Sequence, residues 1–204
     1  MSESLLRIGT AGWSVSSRYA EQIPHGGTHL QRYANRLNAV EINSSFYRPH
    51  QRKTYERWAQ STPVDFRFSV KVPKAITHDA RLKSCDALLD RFVNEVTGLG
   101  SRLGVLLVQL PPSFRLDKYV ARRFFQTLRR RVDIATVIEP RHRSWFGSEV
   151  DDWLADLGIA RVATDPAPVV GAGKAGGWDG IAYYRWHGSP KIYFSIMTVR
   201  LSLP

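Results

Sequence analysis

Hydrophobic and polar positions follow two rhythms along this chain. Short β-branched or apolar runs at residues 6–12, 39–46, 66–72, 104–110, 134–139, 159–164 and 181–186 have the length and composition of buried strands. Between them, apolar residues recur three and four apart, the spacing of one helix face, in "THLQRYANRL", "KTYERWAQS", "DALLDRFVNEVTGLG", "DKYVARRFFQTLRRR" and "GSEVDDWLADLG". In the third of these, Leu88, Leu89, Phe92 and Val96 are expected on the buried face, with Gly98 or Gly100 as the stop. Thr28, Asp86 and Ser148 are the expected N-caps, each a short polar side chain ahead of a helical pattern.

Strand and helix alternating in this way predict an α/β fold with parallel pairing and right-handed crossovers. The expectation is one TIM-barrel-like domain over residues 1–204. Seven strand candidates are readable, one fewer than the eight of a full barrel of about 250 residues. After Gly188 only "SPKIY" precedes the apolar tail "FSIMTVRLSLP", too little chain for a crossover of about a dozen residues or more. The barrel is therefore expected to be incomplete or truncated at its C-terminus. "GAGKAGGWDG", residues 171–180, is the segment with the most flexible composition.

A chain of 204 residues, 43% hydrophobic, is long enough for a real core and short enough for one domain. The single Cys85 excludes a disulfide framework and a cysteine-based zinc cluster, leaving a buried small hydrophobe and a cytoplasmic setting. No charged and apolar leader opens the sequence, and no run approaches the ~20 apolar residues of a membrane span. The expectation is a protein neither exported nor membrane-bound. A balance of 29 Lys and Arg against 18 Asp and Glu gives a net charge of +11, which favours anionic partners such as nucleic acid or phosphorylated metabolites.

Side chains two apart share a strand face, and that rule sorts the polar residues near the strand ends. It pairs Glu41 with Asn43, Ser69 with Lys71, Glu139 with Arg141, and Arg185 with His187. Gln109 stands before "LPP", and Asp165 before Pro166. Each falls at the C-terminal end of its strand, the end that carries the catalytic groups of barrel enzymes. Any one of them can be an ordinary hydrogen-bonded structural residue, but polar groups from six strands point to a functional mouth. Other candidates are weaker alone. The Gly of "TAGW" permits a tight turn, and Trp13 is either a stacking wall or core. In "SSFYRPH", Phe46, Tyr47, Arg48 and His50 can line a pocket or simply pack. "VKVPKAITHD" brings His78 close in sequence to Lys71 and Lys74. The run Arg129–Arg131 suits a solvated helix C-terminus.

Taken together, "VEINSSFYR", "FRFSVKVPKAITHD", "LGVLLVQLPPSF", "EPRHRSWF" and "YYRWHG" resemble, in order and spacing, the hallmark segments of the domain of unknown function 72, or YecE-like, family. The resemblance implies a TIM-barrel-like fold with a site at the strand C-termini, and it implies no particular reaction. Carried over by position, its polar set is Glu41, Asn43, Lys71, His78, Gln109, Glu139, Arg141, His142, Asp165, Arg185 and His187. Pro140 departs from the pattern, which usually has an aromatic there, and the helix, strand and helix that normally follow "HG" are not recognisable.

The leading expectation is an enzyme, a hydrolase or lyase, binding a small anionic or phosphate-bearing substrate. Arg141, Arg185 and Lys71 would clamp the anion. Glu139 or Glu41 would be the base and His187 or His78 the proton donor, while Gln109 and Asn43 orient the substrate. Trp13, Tyr47, His142 and Asp165 complete the expected substrate-binding set. A divalent metal on Glu41, Glu139 and Asp165 is disfavoured by the neighbouring Arg and Lys, and no cofactor is indicated. The rival reading is nucleic-acid binding or phosphodiester cleavage, with Arg48, Arg52, Lys53, Lys74, Arg81, Lys83, Arg115 and Lys118 tracking phosphates and Tyr47 and Trp145 stacking. A third is a non-catalytic, truncated barrel.

Overall fold

Strand and helix alternate through the structure, a computed structural model that describes residues 6–14 and 26–188. The chain divides into two units, Met1–Gln109 with Tyr119–Thr136, and Leu110–Lys118 with Val137–Pro204. The apolar tail after Gly188 falls outside the described residues.

In the first unit the elements are α1 (His29–Ala34), β1 (Ala39–Ile42), α2 (Ser44–Tyr47), α3 (Arg52–Gln60), β2 (Arg67–Lys71), α4 (Asp86–Val96), β3 (Leu103–Gln109) and α5 (Lys118–Arg129). A π-helical turn, Ala75–Asp79, follows β2, and a 3-10 stretch, Thr97–Arg102, leads into β3. β1 pairs parallel with β2, Glu41 opposite Ser69, and β2 pairs parallel with β3, Lys71 opposite Leu107. Both pairings satisfy the alternation rule, because each parallel crossover here contains a helix. Thr28 caps α1 as expected, closing a capping box with Gln31.

The buried face of α4 is Leu89, Phe92, Val93 and Val96, while Leu88 is exposed. At 100° per residue the runs 88, 89, 92, 96 and 89, 92, 93, 96 span arcs of equal width, so spacing alone does not choose between them, and in the structure Val93 rather than Leu88 takes the core face. Asp86 is the first residue of α4 rather than its cap, and Cys85 holds the cap position. Cys85 is buried, as its apolar character predicts. Arg131, expected to be solvated, instead reaches α4, with Nε 2.6 Å from Asp90 Oδ1 and Nη2 3.1 Å from Asp86 Oδ1.

Two expected strands of this unit are shorter than the pattern suggested. Residues 6–12 run beside β1 through a single parallel bridge, Ala11 to Glu41, and leave Leu6 and Ile8 exposed. The buried Tyr33 phenol ties this segment down, accepting from the Thr10 N–H at 2.7 Å and donating to the Ala39 carbonyl at 2.9 Å. Gly12 has φ +99°, the left-handed turn expected of "TAGW". The run 39–46 breaks at Asn43, whose φ −88° and ψ −21° are helical, and "SSFY" becomes α2. The Ser45 hydroxyl donates to the Ile42 carbonyl at 3.0 Å, a local hydrogen bond that competes with continuing the ladder despite the apolar Phe46.

In the second unit, β4 (Ala135–Glu139) contributes its last three residues, followed by a 3-10 turn (Arg143–Trp145), α6 (Ser148–Asp156), β5 (Ile159–Arg161), β6 (Ala163–Asp165), β7 (Gly176–Gly177) and β8 (Tyr184–Trp186). β5 lies between β4 and β7, and β6 pairs parallel with β8 in a separate two-stranded sheet. The expected strand 159–164 is thus two strands. The Val162 N–H bonds to the Ile138 carbonyl and the Ala163 N–H to that of Tyr183, so the chain changes partners between adjacent residues. The glycine-rich loop supplies β7, which pairs antiparallel with β5. Gly147, not Ser148, precedes the first turn of α6. The core of this unit is built on Trp145, whose Nε1–H donates to the Phe114 carbonyl at 2.9 Å, with Trp153 and Leu154.

The pairing makes this a mixed α/β fold with mostly parallel strands, and no closed barrel is found among the described residues.

Candidate functional site

The charges of "VIEPRHRSWF" are accounted for in the second unit. Val137 and Ile138 are fully buried, and Glu139 follows them at 1% exposure. A carboxylate there carries a desolvation cost of several kcal/mol unless paired. Arg141 supplies one partner, with Nε 3.2 Å and Nη2 3.1 Å from Oε1, and Arg185 on β8 supplies the other, donating from Nη1 to Oε2. Arg185 is itself buried, whereas the Arg141 side chain is about one third exposed at 34%. Arg141 lies two residues beyond the last residue of β4. Alternation does hold on β8, where Arg185 turns inward between the exposed Tyr184 and Trp186.

His142, Asp165 and His187, also expected from the sequence, belong to the same unit. His142 accepts at Nδ1 from the Ser144 N–H at 3.2 Å, and the Ser144 hydroxyl lies 2.9 Å from the same nitrogen. Asp165 is exposed at the end of β6, and its carbonyl accepts from the His187 N–H at 2.8 Å. Thr164 lies opposite Arg185 in the β6–β8 register.

In the first unit, Phe46 gathers Lys71, His78 and Tyr47. Lys71 Nζ sits 4.0 Å from the Phe46 ring centroid, a cation–π geometry for a buried ammonium. His78 meets the same ring edge-on at 5.0 Å, with its Nδ1 2.9 Å from the Thr77 hydroxyl, in the π-helical turn after β2. π turns are rare and concentrate at functional sites. Tyr47 packs edge-on against Phe46 but is 78% exposed. The Ser45 hydroxyl donates to the Lys71 carbonyl at 2.7 Å and so fastens α2 to the end of β2.

Glu41 and Gln109 are buried at the ends of β1 and β3. Asn43 has left the strand, so it does not share a strand face with Glu41; its Oδ1 is buried and accepts no hydrogen bond among the described residues. Trp13 packs edge-on against Trp58 at 5.0 Å. Trp58 and Tyr55 also hold the His50 ring, at 5.1 and 5.8 Å, and Ser44 Oγ lies 2.8 Å from its Nε2. Burial, and then the Arg48 charge, lower the pKa of His50.

Three residues that organise these clusters were not singled out from the sequence: Ser45, Ser144 and Arg161. Ser144 had no signal in its own segment, since the bond that orients it comes from Leu116. Arg161 had none, because it sits within an apolar strand run. Its guanidinium forks onto Asp151, Nε to Oδ1 at 2.8 Å and Nη2 to Oδ2 at 2.9 Å, and Nη1 donates to the Lys174 carbonyl at 3.0 Å.

Several basic residues expected to track phosphates are already engaged. Arg52 pairs with Glu56 and donates to the Asn94 carbonyl, Lys74 pairs with Asp79, and Lys118 lies 5.7 Å from the Trp153 ring centroid. Among the described residues, no group of three or more His, Cys, Asp or Glu side chains could hold a metal ion. No helix among them is long and apolar enough to cross a membrane.

The model of the family "Protein of unknown function DUF72" matches residues 7–201. The UPF0759 protein YecE of Escherichia coli (strain K12) is 30% identical over 171 residues, which cover 81% of this chain and 61% of YecE. The UPF0759 protein YunF of Bacillus subtilis (strain 168) is 28% identical, covering 70% of this chain and 52% of its own. The chain thus spans less than two thirds of the length of these curated relatives. Among solved structures, a DUF72 family protein of Thermotoga maritima MSB8 superposes with a TM-score of 0.67 at 26% identity, covering 94% of this chain and 78% of that one. A DUF72 family protein of Enterococcus faecalis V583 does so with a TM-score of 0.73 at 21% identity, covering 90% and 71%, and supports the fold alone.

Proposed function

The chain belongs to the DUF72 family, and on that premise we propose that it is an enzyme binding a small anionic or phosphate-bearing substrate at the C-terminal ends of its strands. The observation that carries this reading is the Glu139 carboxylate held between Arg141 and Arg185. A buried ion pair is weak as a device for stability, since apolar residues of the same volume serve as well or better. Its retention at a strand end fits a binding role better than a packing role.

Within that reading the two arginines differ. Arg185 is buried and spent on Glu139, whereas Arg141 is partly exposed and uses only Nε and Nη2 on the carboxylate. Its Nη1 is left to meet an anion, so Arg141 is the clamp and Glu139 the group that aims it. Both Glu139 oxygens accept from guanidinium groups, which fits Glu139 to the task of positioning Arg141. The strand–helix alternation supports a TIM-barrel-like arrangement, in which catalytic groups occupy the C-terminal strand ends.

A thermal-shift screen against phosphorylated metabolites, sugar acids, divalent metals and short oligonucleotides, at low and moderate salt, tests this. A ligand that binds the folded state raises its apparent stability by mass action. A shift from a small anion that persists in moderate salt supports the enzyme reading. A shift from oligonucleotides alone, vanishing with salt, overturns it in favour of nucleic-acid binding.

A further inference from the structure

We propose that His142 serves the site as a hydrogen-bond donor through Nε2–H, and that Ser144 is the positioning residue that holds the ring in that tautomer. The ligand half of this proposal rests on the anion-binding reading above; the tautomer half stands on geometry alone.

The 3-10 turn Arg143–Trp145 follows His142 directly, and the Ser144 backbone N–H points back at the ring, 3.2 Å from Nδ1. A ring nitrogen that accepts from an N–H carries no proton of its own, so in the neutral imidazole the proton sits on Nε2. The Ser144 hydroxyl strengthens the same choice. Its oxygen accepts from the Leu116 N–H at 2.8 Å and lies 2.9 Å from Nδ1; because that nitrogen already accepts from the backbone, it is the hydroxyl hydrogen that faces it. Two donors therefore converge on Nδ1. A simple turn cap requires only the first.

The base of the turn is rigid. Trp145, the residue after Ser144, is fully buried and donates from Nε1 to the Phe114 carbonyl at 2.9 Å. Leu116 belongs to that same segment, so the turn and the segment that orients Ser144 are fastened together at two points. The other side of the ring is free. His142 is half-buried, and its Nε2 has no hydrogen-bond partner among the described residues. One residue earlier stands Arg141, whose guanidinium is fixed by Glu139.

An N–H donor of fixed tautomer suits an oxyanion, a phosphate or carboxylate oxygen. A neutral imidazole can polarise such an oxygen by donating through one nitrogen without transferring a proton. This gives His142 a task distinct from the proton relay assigned to His187 or His78, and it explains why a turn of three residues is held by so many hydrogen bonds.

The test is a long-range proton–nitrogen correlation spectrum of the imidazole rings in the nitrogen-15-labelled full chain at pH 8, above the ordinary imidazole range. The His142 ring is identified by its loss in His142→Gln. The expected spectrum shows Nδ1 unprotonated and Nε2 protonated; a protonated Nδ1 overturns the proposal. Ser144→Ala keeps the backbone N–H and loses only the hydroxyl, so it is expected to raise the share of the Nδ1-protonated tautomer above that of the wild type, and Ser144→Thr, which keeps the hydroxyl, to retain the wild-type pattern. An unchanged single tautomer in Ser144→Ala removes the positioning role. Adding inorganic phosphate to the wild type is expected to move the His142 Nε2 and Arg141 side-chain resonances together. Movement of Arg141 without His142 overturns the donor role while leaving the anion site standing, and movement of neither overturns the anion site itself.

Discussion

Arg185 donates to Glu139 across 46 residues of sequence, and both side chains are buried where they meet. That pairing is what allows a strand built from Val137 and Ile138 to end in a carboxylate. Removing Arg185 leaves Oε2 of the buried carboxylate without its guanidinium, with the partly exposed Arg141 still on Oε1. Arg185→Met is therefore expected to lower stability by about 3–5 kcal/mol. The double variant Glu139→Gln with Arg185→Met should recover part of that loss, because no buried charge is left over. Urea unfolding of the four proteins of this cycle checks the coupling, and simple additivity would mean that the pair is not coupled.

The Arg161 fork on Asp151 should matter for a different reason. It holds the loop that carries β7, and a Cβ added at Gly176 would lie 2.5 Å from both Arg161 Nη2 and Asp151 Oδ1. Arg161→Lys loses the two-pronged geometry, as well as the guanidinium placed 4.8 Å from the Phe146 ring centroid. Each of Arg161→Lys and Gly176→Ala is expected to cost about 1–3 kcal/mol. Amide exchange should quicken across residues 171–177 in both. Exchange there at the wild-type rate would show that the fork does not hold the loop.

His50 gives the fold an acid-side weakness. Its pKa is lowered in the folded chain by burial and the nearby Arg48 charge, so the unfolded chain binds more protons once the pH falls below the ordinary histidine value of about 6.5. The contribution to stability is complete above that value and is lost as the pH falls toward the folded pKa. Melting temperatures measured between pH 8 and pH 5 should decline on the acid side, and less steeply in His50→Asn. An identical slope in that variant would place the acid sensitivity elsewhere.

Much of the fold was legible because it rests on local signals. The Thr28 capping box, the strands near 67, 103 and 135, and the burial of Cys85 follow from spacing and side-chain type. What was not legible depends on partners distant in sequence. Nothing in the run 159–164 announces that Val162 and Ala163 bond to different strands. Nothing in "EINSSFY" tells whether Asn43 will continue the ladder or turn into α2, since both outcomes satisfy the apolar pattern. The site divides in the same way. Residue types marked Glu139, Arg141 and Arg185, yet the roles of Arg141 and Arg185 separate only once their exposure is known. Ser144 became visible only when Leu116, 28 residues away, was seen to orient it.

The measurement that bears most directly on the central claim is isothermal titration of inorganic phosphate into the wild-type chain and Arg141→Gln. Arg141 meets solvent, so its loss should spare the fold while removing a charge-assisted hydrogen bond of about 1.5–3 kcal/mol. The expected result is saturable binding to the wild type, weakened about tenfold or more in the variant, with both melting at similar temperatures. Equal affinity in the two proteins would contradict the assignment of Arg141 as the anion clamp.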